Sequence, residues 1–408
     1  MKVLYLSYDG MTDPLGQSQV IPYLIGLTRY GHTFYLISCD KPERYKQRKE
    51  FILNWLKDYP IFWYSLPYTK KPPIFSTVKD VQKMKRLAKK LHQQHNFDAV
   101  HCRSYISALV GLYLKKKYGL KFIFDMRGLW ADERVEGKLW NLSHPIYKII
   151  YKYFKHKERQ FLQYADYSIS LTENAKQEIL SWPGMQNIRI EVIPCCADID
   201  HFNADKISPK DKELLQKRLN IQPHQKVIGY LGSLGTWYML EEMLAWFKVF
   251  LEYYENAVFL FVTPDSPAMV YQKAEQIGIE SDKIIVREAK REEVPLYLSL
   301  FDASLFFIKP TYSKKGTSPT KQGELMGMSI PIVCNKGIGD VDAIVEKTRS
   351  GVLVEDFSIE SYHKSVRQLL EMLKQPTHHI RQSAVEVYSL EKGVERYQFV
   401  YQVLQGER

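Results

Sequence analysis

The stretch Ala303–Asn335, ASLFFIKPTYSKKGTSPTKQGELMGMSIPIVCN, decides the fold. It opens on one apolar run, Ala303 to Ile308, and closes on another, Ile330 to Cys334, each with the length of a buried strand. Between them lie a basic loop and a short helix. Ser318 is a good N-cap and Pro319 is preorganised for a first helical position, so the helix is expected to begin there. Its unpaired backbone N–H groups and positive dipole end then stand at the strand ends, where they suit a phosphate. Lys314, Lys315 and Lys321 add positive charge around that point. Lys321 and Glu324, three residues apart, share one helix face. Counting from Pro319, Glu324 lies about 9 Å along the helix at 1.5 Å per residue. A pyrophosphate on the helix N-terminus thus leaves its ribose beside a carboxylate that accepts from both hydroxyls. The plainer alternative is a solvated lysine loop before an ordinary amphipathic helix.

Working outward, short apolar runs alternate with amphipathic helices along the whole chain. Seven expected strands, Val3–Tyr8, Phe34–Cys39, Ile61–Leu66, Ala99–Cys102, Phe122–Asp125, Tyr167–Leu171 and Ile190–Pro194, form a first series. Six more follow from Lys226: Val227–Leu231, Val258–Val262, Ile284–Val286, Ala303–Ile308, Ile330–Cys334 and Val352–Val354. Such alternation predicts parallel sheets covered by helices on both faces. The fold class is α/β, with two doubly wound, Rossmann-like domains whose ligands bind beyond the carboxyl ends of the strands. Residues 1–205 are expected to form the first domain, 206–385 the second, and 386–408 a final helix rich in aromatics. The polar stretch from Asp198 to Lys226 reads as a linker, with one helix in KDKELLQKRL.

At 408 residues the chain is long enough for two full cores. Its net charge of +11 implies an anionic partner, a nucleotide or a phospholipid. Nucleic acid is not expected, since no binding module is recognisable. No apolar run approaches the roughly 20 residues of a spanning helix, and Lys2-Val-Leu-Tyr-Leu reads as a first strand rather than a signal peptide. The five cysteines have no metal-ligand spacing and lie mostly in apolar segments, as expected of buried thiols in a reducing cytosol.

The string S-P-T-K-x-x-E, followed by a small-residue turn and P-I-V, resembles the nucleotide-sugar motif of family 4 (group 1) glycosyltransferases. These retaining enzymes have the GT-B fold, with two domains facing across a cleft and a C-terminal helix crossing back to the N-terminal domain. The resemblance extends along most of the chain and implies a diphosphate on this helix, with Glu324 on the ribose. Donor binding is thereby expected at Gly16, Gly232, Ser233, Lys315, Ser318, Thr320, Lys321 and Glu324. Asp125, Arg127 and Lys321 are expected to be catalytic, and Asp9, Gln17, Arg103 and Asp132 to meet the acceptor.

Three departures from the family pattern stand out. Gly316 replaces an acidic residue eight positions before Glu324. Asp125 replaces a His at the end of its strand. No Arg or Lys lies between Gly232 and Leu244, so Lys315 and Lys321 are the expected substitutes for the usual phosphate clamp. Trp237 and Tyr238 in that loop either stack on a base or fill the core. The glycine-bearing loop from Asp9 to Val20 is either a ligand contact or a tight strand-to-helix turn. Asp198-Ile-Asp200 and Asp340-Val-Asp342 match a short acidic pattern that holds metal in a different glycosyltransferase fold, but no metal or other cofactor is expected here.

Two basic segments complete the reading. Lys79–Leu91 has the pattern of a solvated helix covering the sheet. Lys138–Phe161 interleaves lysines, among them Lys148, Lys152 and Lys155, with Trp140, Tyr147, Ile149 and Tyr153. It suits either the interface of an anionic bilayer or another sheet-covering helix. The resemblance implies a hexosyltransferase taking a nucleotide sugar and a lipid-linked or free glycan acceptor in polysaccharide biosynthesis. It would be cytoplasmic and peripheral on the inner face of the plasma membrane. A nucleotide-sugar 2-epimerase of similar fold and a non-catalytic glycan-binding protein are the alternatives.

Overall fold

The computed structural model describes residues 1–406. All thirteen expected strands are present, each within two residues of its expected ends, and they fall into two compact units. The first unit comprises Met1–Pro194, Lys315–Thr317 and the chain from Leu390 on. Its sheet holds β1 (Lys2–Ser7), β2 (Thr33–Asp40), β3 (Ile61–Pro67), β4 (Ala99–Arg103), β5 (Lys121–Asp125), β6 (Tyr167–Ser170) and β7 (Ile190–Val192). They run parallel in the order β3-β2-β1-β4-β5-β6-β7. The strands are mostly apolar and, β3 and β7 apart, largely buried, as expected where helices cover both faces. The helix Ser104–Tyr118 shows how closely: a Cβ on Gly111 would come 2.4 Å from the Cys102 sulfur and 2.7 Å from the Phe122 ring.

The second unit comprises Cys195–Lys314 and Ser318–Ser389. Its strands are β8 (Lys226–Leu231), β9 (Ala257–Val262), β10 (Ile284–Arg287), β11 (Ala303–Phe306), β12 (Ile332–Asn335) and β13 (Gly351–Val354). They too are all parallel, ordered β10-β9-β8-β11-β12-β13. Strand order reverses beside β1 in the first sheet and beside β8 in the second, which opens a crevice at the carboxyl ends of β1/β4 and of β8/β11.

Two boundaries differ from expectation. The first unit ends at Pro194 rather than near 205, because Ala197, Ile199 and Phe202 are buried in the second core. The Arg381 guanidinium fastens that segment by donating to the carbonyls of Phe202 and Ile199. The aromatic C-terminal stretch is also two helices, His378–Tyr388 and Leu390–Gly406, separated by an extended Ser389. Tyr388 packs in the second unit, where it explains the small residue at Gly323, whose Cβ would meet the Tyr388 side chain at 3.0 Å. Tyr397 and Tyr401 belong to the first unit.

Candidate active site

In the second unit the helix Thr320–Gly327 follows β11, with Pro319, not Ser318, as the residue before its first turn. The Ser318 hydroxyl instead accepts from the Cys195 N–H at 3.1 Å, so the expected cap is spent on holding another segment. Thr320 is the first helical residue and half-buried. Lys321 is buried, and its ammonium makes no hydrogen bond. It lies 3.6 Å from the Tyr238 ring centroid and 4.1 Å from that of Tyr230, two cation–π contacts. These faces do not replace water: burial holds the lysine pKa well below its ordinary value, with Glu324 opposing the shift.

The loop after β8 lies against this amine. Gly232 has φ of +99°, and a Cβ there would stand 3.5 Å from the Lys321 nitrogen. The Tyr230 hydroxyl donates to the Ser233 carbonyl at 2.7 Å. Asp265 accepts from the Ser233 hydroxyl at 2.9 Å and from the Leu234 N–H at 2.5 Å. The turn is therefore held rigid around the ammonium, and the Ser233 hydroxyl is engaged in holding it. Glu324 does not bond Lys321. Its Oε1 pairs with an Arg291 guanidinium nitrogen at 3.3 Å, while burial raises its pKa against the pull of Arg291 and Lys321.

The other two lysines of the loop are placed differently than expected. Lys314 is buried on the Trp237 ring, 3.6 Å from its centroid, which makes Trp237 part of the packing. Lys315 sits in the first unit, where its ammonium pairs with Glu178 at 2.7 Å. Gly316 packs on Gly128; a Cβ there would lie 2.9 Å from the Gly128 Cα, so an acidic side chain has no room.

In the first unit the carboxyl ends of β1, β4 and β5 bring four expected residues together. Asp125 and Arg103 are paired in register across β4 and β5. Asp125 is fully buried; its Oδ2 accepts from the Tyr397 hydroxyl at 3.0 Å, and Arg127 lies 3.9 Å from Oδ1. His101 is 3.8 Å away, too far for a hydrogen bond, and its Nδ1 meets the Tyr401 hydroxyl at 2.7 Å. Burial works to raise the Asp125 carboxyl, but Arg127, His101 and Arg103 outweigh it and hold it below the usual carboxylate range. Burial keeps His101 neutral by lowering its pKa. Arg103 pairs with Asp9 at 3.3 Å. Arg127 has φ of +56°, a left-handed conformation uncommon outside glycine.

Three expected ligand residues make contacts within the first unit. Gly16 packs on its own loop, where a Cβ would be 2.3 Å from the Gly10 carbonyl. The Gln17 amide donates to the Thr12 carbonyl at 3.0 Å and accepts from Arg48 at 3.1 Å. Asp132 is buried away from solvent; one oxygen accepts from the Tyr151 hydroxyl at 2.7 Å and the other from Lys155 at 2.8 Å. Lys155 also pairs with the buried Glu158, so it faces inward rather than toward a bilayer. The outward face of its helix, Pro145–Tyr164, exposes Ile146, Ile149 and Tyr153 among Lys148 and Lys152. Arg291 and Asp265 carried no signal in the sequence: each is one charge in a polar loop, and only the fold brings it to the site. Among the described residues no cluster of three His, Cys, Asp or Glu side chains suits a metal, and no helix is long and apolar enough to cross a membrane.

Two all-parallel Rossmann-like domains with these strand orders define the GT-B fold of glycosyltransferases. Residues 20–201 match the family model Glycosyltransferase Family 4, and residues 211–385 match Glycosyl transferases group 1. The chain belongs to the family 4, group 1 glycosyltransferases. A D-inositol 3-phosphate glycosyltransferase 2 of Catenulispora acidiphila is 21% identical over 291 residues, 69% of this chain. That match spans 64% of the relative, so the chain covers just under two thirds of its length. Sucrose-phosphate synthase from Thermosynechococcus elongatus has a similar structure, with a TM-score of 0.76 at 13% identity over the whole of both chains. HepE of Anabaena, solved with UDP-glucose, gives a TM-score of 0.67 at 13% identity, again over both whole chains.

Proposed function

We propose that the chain is a retaining hexosyltransferase that moves a sugar from a nucleoside-diphosphate sugar to a glycan on a lipid carrier, in polysaccharide biosynthesis. The observation that carries this reading is the buried, unbonded Lys321 ammonium on the helix that also presents Glu324. A buried amine with no hydrogen-bond partner is held back from its charged form, and a diphosphate is the ligand that favours that form. HepE, of the same fold, is solved with UDP-glucose, which agrees with a nucleotide-sugar donor.

In this reading Glu324 leaves Arg291 to accept from the ribose hydroxyls. The bond from the anomeric carbon to the diphosphate breaks through an oxocarbenium-like sugar. Lys321 and the helix N-terminus stabilise the charge growing on the departing phosphate, and the acceptor hydroxyl passes its proton to that phosphate as it bonds carbon. In the first unit, Asp125 stays ionised and is assigned to the reaction as a fixed negative charge. No step calls on a metal. Asp9 and Arg103 are assigned to the acceptor. The outward face of Pro145–Tyr164, apolar and cationic together, supports peripheral binding to the anionic inner face of the plasma membrane.

The test is a panel of nucleotide sugars with and without lipid-linked acceptor. Nucleoside diphosphate released only with acceptor is the expected result. An epimerised sugar would replace transfer by isomerisation, and silence across the panel would leave a glycan-binding protein.

A further inference from the structure

We infer that the turn between β3 and the helix Phe75–His95 is a second lipid-contacting element, a wedge whose tip enters an anionic bilayer. The inference extends the membrane reading above but rests on different residues.

The tip exposes five consecutive residues, Lys71 to Phe75, and then Val78 one helical turn on. Phe75 is 75% exposed and Val78 54%. Single apolar residues on a surface are ordinary, but this tip is held in its exposed form. Asp80, itself buried, accepts from the Thr69 N–H and hydroxyl, both at 2.8 Å, and pairs with Lys83 at 3.1 Å. One carboxylate thus ties the strand side of the turn to the helix side. Ile74, at the summit, has φ of +72°, an outlier for a β-branched residue, which persists only where the surroundings impose it.

Part of the backbone of the tip needs no water. Pro72 and Pro73 have no N–H to desolvate. The N–H groups of Phe75, Ser76 and Val78 donate inside the tip, to the carbonyls of Pro73, Pro72 and Ile74 at 2.9, 3.0 and 2.9 Å. Insertion therefore strands none of these donors, the condition that lipid imposes on any backbone it surrounds.

Charge selects the kind of surface. From Lys70 to Lys90 the chain carries eight lysines and arginines against one acid, the buried Asp80. Lys70, Lys71 and Lys79 flank the apolar tip, and the exposed Arg86 and Lys90 continue along the helix behind it. A convex apolar point with a cationic collar matches headgroups around an acyl layer, at roughly fivefold in affinity for each cation near the surface.

The experiment places an environment-sensitive fluorophore at Val78→Cys and, as control, at Gln93→Cys, an exposed site near the other end of the same helix. The five native thiols are buried and stay unlabelled. With vesicles containing phosphatidylglycerol, emission at position 78 is expected to shift to the blue and emission at 93 to stay put, with no shift on phosphatidylcholine alone. Phe75→Asp in unlabelled protein should weaken co-sedimentation roughly tenfold or more. A protein that sediments with anionic vesicles while the label at 78 stays in water would overturn this inference and leave the membrane reading to Pro145–Tyr164. Absence of any vesicle binding would overturn both.

Discussion

The Tyr397 hydroxyl donates to Asp125 across 3.0 Å, joining residues 272 apart in the chain and fastening the last helix to the end of β5. Both groups are buried, so the bond has no water to replace it. Tyr397→Phe should cost about 1–3 kcal/mol of stability, the penalty for an unpaired buried group. The Asp125 carboxyl sits below its ordinary value, so it contributes stability above about pH 3.9 that is lost as the pH falls through its folded value. Losing the tyrosine bond raises that folded value. Acid unfolding should then begin at higher pH, and the acid limb of the kcat profile should move up with KM unchanged. A limb that stays in place in Tyr397→Phe and in Asp125→Asn would remove Asp125 from the reaction.

Lys321 makes a second prediction, because its pKa in the empty site lies well below the ordinary lysine value of about 10.4. A bound diphosphate favours the charged form, so binding should take up a proton between the empty and bound values. Affinity should fall as pH rises through that window. Calorimetry in buffers of different ionisation heat measures the uptake, and Lys321→Met should abolish it. The depressed pKa also means that the unfolded chain takes up this proton before the empty fold does, so stability falls as the pH drops from about 10.4 to the folded value, and Lys321→Met should raise Tm at and below that value. Proton uptake that persists in Lys321→Met would assign it to another group.

The helix Pro145–Tyr164 separates two kinds of lysine. Lys155 neutralises the buried Asp132 and Glu158, and its own pKa is raised because those carboxylates outweigh its burial. Lys155→Met should cost roughly 3 kcal/mol, the low end for breaking a buried pair since Lys155 is itself partly exposed. Lys148→Glu with Lys152→Glu should change stability by no more than about 0.5 kcal/mol, yet weaken binding to anionic vesicles in a salt-dependent way. Equal urea midpoints for the two variants would contradict this division.

The sheets were readable because strands in a covered parallel sheet are mostly apolar over short runs, which marked all thirteen. The fine placement of polar groups was not, since it depends on partners distant in sequence. Ser318 has the residue type and position of a cap but bonds Cys195, 123 residues away. Lys155 falls in a lysine-rich helix and looks solvated until Asp132 is placed beneath it. Asp132 looked like a ligand for the same reason. The break at Ser389 is hidden because helical periodicity continues on both sides of it. Lys321 and Glu324 were legible because three-residue spacing fixes a shared helix face, but that spacing says nothing of Arg291.

The most direct test of the donor site is the dissociation constant of nucleoside diphosphates, titrated as UDP, GDP and ADP into wild type, Glu324→Gln and Lys321→Ala. Glu324→Gln removes a charged acceptor from the ribose and should weaken binding of the preferred nucleotide about 10- to 150-fold, the equivalent of ~1.5–3 kcal/mol. Lys321→Ala should weaken it as well, and in turnover should lower kcat by ~10²-fold or more. Near-native affinity for the nucleotide in both variants would contradict the account, because the donor would then bind elsewhere than at this helix.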